Sequence, residues 1–171
     1  MKLVRRAIGK CCHMFHTNVA KLFSERGRVL MLHWVGDEVQ DEETEPFRIS
    51  TEQCRKFLQW LKSKKTIRLE NWENEHDFFA LTIDDVPENF YHNAYPLLEE
   101  AGIPFTLFVN VSLLDKEEFI TRKQLVEMSQ SELCTIASHG VSHGEFALLN
   151  KEQALQDLQD SKCELEQIIG K

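Results

Sequence analysis

Four short runs made almost wholly of apolar, β-branched and aromatic residues constrain this chain more than any other feature: VLMLHW at 29–34, FFALTID at 78–84, FTLFVN at 105–110 and LCTIAS at 133–138. Each has the length of a strand, and none alternates apolar with polar as a strand with one wet face would. Such runs suit strands covered on both faces, as in a parallel sheet flanked by helices. Helical patterns fall between them. Ser50 or Thr51 can cap a helix running to about Lys64, with Phe57, Leu58 and Leu61 inward. A second pattern extends from about Pro87 to Ala101 and stops at Gly102 and Pro104, and a third covers about 116–129. The last, from about Asn150 to Ile169, gathers Ala154, Leu155, Leu158, Cys163, Leu165 and Ile168 on one broad face and ends at Gly170. Strand and helix alternate, so the expected class is α/β. At 171 residues the chain has the size of one domain with one core.

Composition narrows the partners. With 42% hydrophobic and 28% charged residues the chain has the makeup of a globular protein, which sets aside disorder and fibrous repeats. The 28 acidic residues outweigh 20 basic ones, for a net charge of −8, so nucleic acid is not an expected partner. Five cysteines (Cys11, Cys12, Cys54, Cys134 and Cys163) make an odd number without a CxxC pair, which points away from a disulfide framework and a thiolate zinc site and toward a reducing compartment. No apolar run reaches the roughly 20 residues of a membrane span. The basic N-terminus lacks a signal-peptide core, so the expected location is cytoplasmic. Val4, Ile8, Cys11, Phe15, Val19 and Leu22 recur at helical spacing. Residues 1–28 therefore read as an amphipathic helical segment, first as a helix packed on the domain and second, over 1–23, as a weak anchor on an anionic membrane surface. The acidic stretch 36–47 reads as a solvated loop.

Candidate chemistry is concentrated at the carboxyl ends of two expected strands, where parallel α/β folds place their active sites. FFALTID delivers Asp84 and Asp85; LCTIAS runs into SHGVSHG with His139 and His143. Adjacent residues on an extended chain point opposite ways unless a turn re-aims them, so the two carboxylates can take different roles. The histidine spacing of four brings two imidazoles to one side of a helical turn and suits zinc or a similar borderline metal. Together the clusters offer one carboxylate and two imidazoles as ligands, and a second carboxylate as a base, the makings of a hydrolytic metal centre. Phosphate-loop, dinucleotide-fold, HExxH and GxSxG patterns are missing, which removes support for nucleotide, Rossmann and serine-hydrolase readings.

These residues resemble those of a known family. TIDD at 82–85 is similar to the TFDD motif of the polysaccharide deacetylases, also called the NodB homology domain or carbohydrate esterase family four, and HGVSH at 139–143 resembles that family's H[ST]xxH motif. VLMLHW resembles an early family strand ending in Tyr-His, YPLLEEAGIPFTLFVN its leucine-rich helix and following strand, and DSKCELEQIIGK the helix after the histidines. The resemblance runs from about Val29 to the end and implies a parallel-stranded (β/α) barrel-like fold. It makes 29–171 the N-terminal portion of a deacetylase-like domain, truncated after the fourth or fifth β/α unit. It also implies that Asp84 is the catalytic base and that Asp85, His139 and His143 hold a divalent metal, most simply zinc. The implied reaction removes N- or O-acetyl groups from an acetylated carbohydrate.

Two departures accompany it. Gly140 stands where the family has Ser or Thr. The family's later Arg-Pro-Tyr-Gly-like, Asp/Trp and Leu-x-His segments, the last with its general acid, have no counterpart before Lys171. An incomplete barrel is expected to self-associate through its open edge. The alternative to catalysis is a metal- or sugar-binding module, or a partner subunit in surface-polysaccharide assembly.

Overall fold

The computed structural model of the chain describes residues 27–38, 45–143 and 146–170. The amphipathic pattern at 1–23 and residues 39–44 of the acidic stretch 36–47 lie outside the described residues. Strands β1 (Arg28–Leu32), β4 (Phe79–Asp84), β5 (Phe105–Val109) and β6 (Cys134–Ser138) form one sheet in the order β1-β4-β5-β6, with every pairing parallel. A small second sheet pairs β2 (Trp34–Val35) with β3 (Arg48–Ile49). The four apolar runs thus fold as expected, into a parallel sheet.

Register sorts the side chains into two faces. Leu30 and Leu32 align with Leu81 and Ile83, which align in turn with Phe105 and Leu107. This face carries the core. On it pack α1 (Thr51–Leu61), α2 (Glu88–Asn93) and α3 (Tyr95–Ala101), through Leu58, Leu61, Phe90 and Leu98. The Phe90 and Phe105 rings meet edge to face with centroids 6.2 Å apart, a favoured aromatic geometry. On edge strand β1, Val29 and Met31, one residue out of phase with the core positions, remain 54% and 55% exposed. Helix α4 (Arg122–Met128) and the long α5 (Lys151–Ile169) complete the described helices, and α5 lies against β6 and α4.

Three of the helices start on a reciprocal capping box, in which side chain and backbone satisfy each other's free groups: Ser50 with Gln53, Thr121 with Gln124 and Asn150 with Gln153. Three expectations need correction. The helix read over 87–101 is two helices with a break at Ala94. Pro96 lacks an amide proton and its ring clashes with the carbonyl one turn back, so the chain restarts there. The helix read over 116–129 occupies only Arg122–Met128, because Asp115 and Glu118 take positive φ (63° and 71°) and the chain turns before Thr121 caps it. The run VLMLHW divides at His33, with β1 ending at Leu32 and β2 starting at Trp34. Asn89 and Asn93 of α2 hold β2 in place: Asn89 Oδ1 accepts from the Val35 N–H at 3.1 Å, and Asn93 Nδ2 donates to the Val35 carbonyl at 2.7 Å.

Candidate metal centre

Strand β4 ends at Asp84, and its backbone then turns sharply. Asp85 and Val86 both adopt left-handed φ, 59° and 53°. Consecutive left-handed residues are costly, above all for a β-branched side chain, and persist only where the surroundings hold them. Here the Asp85 N–H donates to the Phe108 carbonyl at 3.0 Å, and the Val86 carbonyl accepts from Ile120 at 3.3 Å while its side chain is fully buried. The turn re-aims Asp85 away from the strand alternation. Its carboxylate, 16% exposed, is brought toward the loop that follows β6.

That loop supplies the histidines, though not from a helix. Residues 139–143 follow β6 as bends, with Gly140 at φ 81° and His143 at φ 49°. The His139 N–H donates to the Val109 carbonyl at 2.9 Å and the Gly140 carbonyl accepts from Val111 at 3.3 Å, which continues the parallel ladder one step beyond the strands. The two rings end with centroids 5.9 Å apart. Nε2 of His143 lies 3.2 Å and Nε2 of His139 3.6 Å from the same oxygen, Asp85 Oδ1.

That oxygen is buried, and among the described residues no hydrogen bond reaches it. An anionic oxygen in that position needs a positive partner. Asp85, His139 and His143 each offer one ligand atom, all within 4.8 Å of one another. Ligand atoms about 2.0–2.2 Å from a tetrahedral ion stand roughly 3.3–3.6 Å apart, close to the two separations seen here. One carboxylate and two imidazoles suit zinc and its neighbours in the transition series. The residues therefore fit a divalent metal.

Asp84 stands beside this set. Burial pushes its carboxyl above the ordinary value; His139 and His33 oppose the rise and Asp85 adds to it. His33, in the VLMLHW run that resembles the family strand ending in Tyr-His, also appears among these neighbours. Leu32 pairs with Ile83, so one further step of register sets His33 beside Asp84 at the same end of the sheet. The Phe47 ring lies 5.4 Å from the His33 ring. A titratable residue one position past an apolar strand was the available signal, since strand ends are where sites of this fold form.

A parallel α/β sheet with an acidic pair on one strand end and two histidines beyond another defines a candidate metal-site protein of hydrolase type. The polysaccharide deacetylase family model matches residues 72–171, and the chain belongs to that family. It is 29% identical over 129 residues to the poly-beta-1,6-N-acetyl-D-glucosamine N-deacetylase of Staphylococcus aureus (strain N315), a match covering 67% of this chain and 44% of the relative. Among solved structures, a polysaccharide deacetylase from Bacillus cereus aligns with TM-score 0.75 and 24% identity, over 87% of this chain and 49% of the other. The Streptococcus pyogenes deacetylase PplD, in complex with acetate, aligns with TM-score 0.71 and 23% identity, over 84% and 69% respectively. The matches span less than half the length of the curated relatives. Among the described residues no helix is long and apolar enough to cross a membrane.

Proposed function

We propose that this chain carries the metal and base half of a deacetylase site acting on an acetylated carbohydrate, with Asp85, His139 and His143 holding zinc. The observation that supports it is the convergence of both Nε2 atoms on the orphaned Asp85 Oδ1, with the Asp84 carboxylate adjacent. When bound, a divalent cation supplies Lewis acidity, polarising an acetyl carbonyl and acidifying water.

Asp84 takes the proton of the attacking water. His139 and His33 work against the rise that burial imposes on its carboxyl, and so favour the ionised form that a base needs. Water oxygen bonds to the acetyl carbon, and the bond from that carbon to the sugar nitrogen or oxygen then breaks. The departing amine or hydroxyl needs a proton. The family resemblance assigns that step to the general acid of the later Leu-x-His segment. Acetate leaves and the sugar keeps a free amine or hydroxyl.

The Staphylococcus aureus relatives bear the name of a β-1,6-N-acetylglucosamine polymer, which makes an oligomer of that sugar the first substrate to try. Zinc-loaded protein is incubated with it, and the sugar is followed by mass spectrometry for loss of acetyl groups. Deacetylation that stops on chelation and returns with zinc is the expected result. Bound but unaltered oligomer would overturn turnover and leave a sugar-binding module.

A further inference from the structure

The loop carrying His139 and His143 has no regular secondary structure, so something else must fix its shape. All three backbone N–H groups between the histidines are bonded to side chains. The Gly140 N–H donates to Ser138 Oγ at 3.0 Å, the Val141 N–H to Asp157 Oδ2 at 3.0 Å, and the Ser142 N–H to Asp157 Oδ1 at 3.1 Å. Successive N–H groups around a left-handed residue form a concavity that binds an anion, and here the anion is a side chain of α5. One turn further along α5, the fully buried Ser161 shares a 2.6 Å hydrogen bond with Ser138. The helix is thus fastened to the end of β6 and to the loop by residues four apart on one face.

Gly140 completes the arrangement. At φ 81° it adopts a conformation other residues resist, and a Cβ there would stand 2.6 Å from Asp157 Oδ2, closer than real Cβ contacts come. With Gly140 in this conformation, the Ser or Thr that the family pattern places there would have to push the Asp157 carboxylate off its seat.

We propose that Asp157 is the positioning residue of the metal site: its carboxylate, seated against Gly140 and gripping the Val141 and Ser142 amides, sets the separation and aim of His139 and His143. The proposal rests on the reading of those histidines as ligands. Charge-assisted bonds of this kind are stronger than neutral ones, and losing partners that orient metal ligands typically lowers affinity about 10- to 100-fold.

Zinc affinity is measured by competition with a chromophoric chelator on wild type, Asp157→Asn, Asp157→Ala, Gly140→Ala and the Gly140→Ala/Asp157→Ala double variant, at a temperature where all are folded. Affinity should fall about 10-fold or more in Asp157→Ala and less in Asp157→Asn, which keeps one acceptor oxygen. The cobalt-substituted proteins should show a shifted visible absorption band in the same order. Gly140→Ala should cost less when Asp157 is already alanine, because the oxygen its methyl meets is then gone. Wild-type affinity in Asp157→Ala, or strictly additive Gly140 and Asp157 effects, would overturn the proposal. Hydrogen exchange on the metal-free proteins separates the two layers. Asp157→Ala should lose protection in the 139–143 peptide alone, and unchanged protection there would refute the positioning role whether or not zinc binds. If wild type binds no zinc while that protection is lost, the ligand reading fails and the grip on the loop stands.

Discussion

His143 Nε2 lies 3.2 Å from Asp85 Oδ1, joining a loop beyond β6 to a strained turn beyond β4 through an oxygen that receives no hydrogen bond among the described residues. A cation between them would satisfy that oxygen and tie two distant segments together. Zinc should therefore stabilise the fold by mass action, by about 2.7 kcal/mol at a free concentration 100 times its Kd. Thermal melts of chelator-stripped protein should move up with added zinc, and Asp85→Ala should melt at one temperature with or without it.

His33 gives a separate prediction, since it adjoins Asp84 and is no part of the three-ligand set. His33→Gln keeps a polar side chain of similar reach and removes one of the two histidines that oppose the rise of the Asp84 carboxyl. Deacetylation should slow because Asp84 is then less readily ionised, while zinc content stays at the wild-type level. Loss of zinc in this variant would make His33 a ligand instead.

The sheet was legible because each of its four strands is a short apolar run of the kind parallel sheets use, although β1, at the edge, leaves Val29 and Met31 exposed rather than covered on both faces. The acidic pair and the two histidines were legible from their places at strand ends. What escaped was set by single backbone torsions. Four residues of spacing suggested that His139 and His143 share a helical turn, whereas Gly140 at φ 81° and the Asp157 carboxylate make the segment a loop. Which aspartate turns toward the histidines depends on the left-handed φ of Asp85, and local spacing carries no trace of it. The place of His33 beside Asp84 was not legible, because that neighbour is on another strand and the relationship exists only once β1 and β4 pair in register.

Asp157 predicts a pH dependence. Burial raises its carboxyl, and the bonds from Val141 and Ser142 more than offset this, leaving it below the ordinary value. The unfolded chain then binds the proton more readily, so this group's stabilisation is present above the ordinary carboxylate pKa of about 3.9 and is lost as pH falls through the lower folded value. Urea midpoints of metal-free protein should decline in that acidic range, and Asp157→Asn should decline less steeply there.

Cys54, on the buried face of α1, has its thiol pushed up to about 11 by burial. Since the thiolate is the reactive form, native protein at neutral pH should leave Cys54 unalkylated by iodoacetamide, while the exposed Cys163 is labelled. Peptide mass mapping before and after unfolding in urea checks this, and early modification of Cys54 in the native state would show that α1 opens readily.

The division of labour between the two adjacent carboxylates is the core of the account, and one paired measurement tests it: zinc content and acetate release, determined together on Asp84→Asn and Asp85→Asn. Both substitutions keep the side-chain shape. Asp84→Asn should retain zinc at the wild-type level and lose about 10²-fold or more of the rate, as expected when a general base is removed. Asp85→Asn should lose zinc and activity together. Zinc lost from Asp84→Asn and kept by Asp85→Asn would reverse the two roles, and full activity in both would contradict a catalytic site at the end of β4.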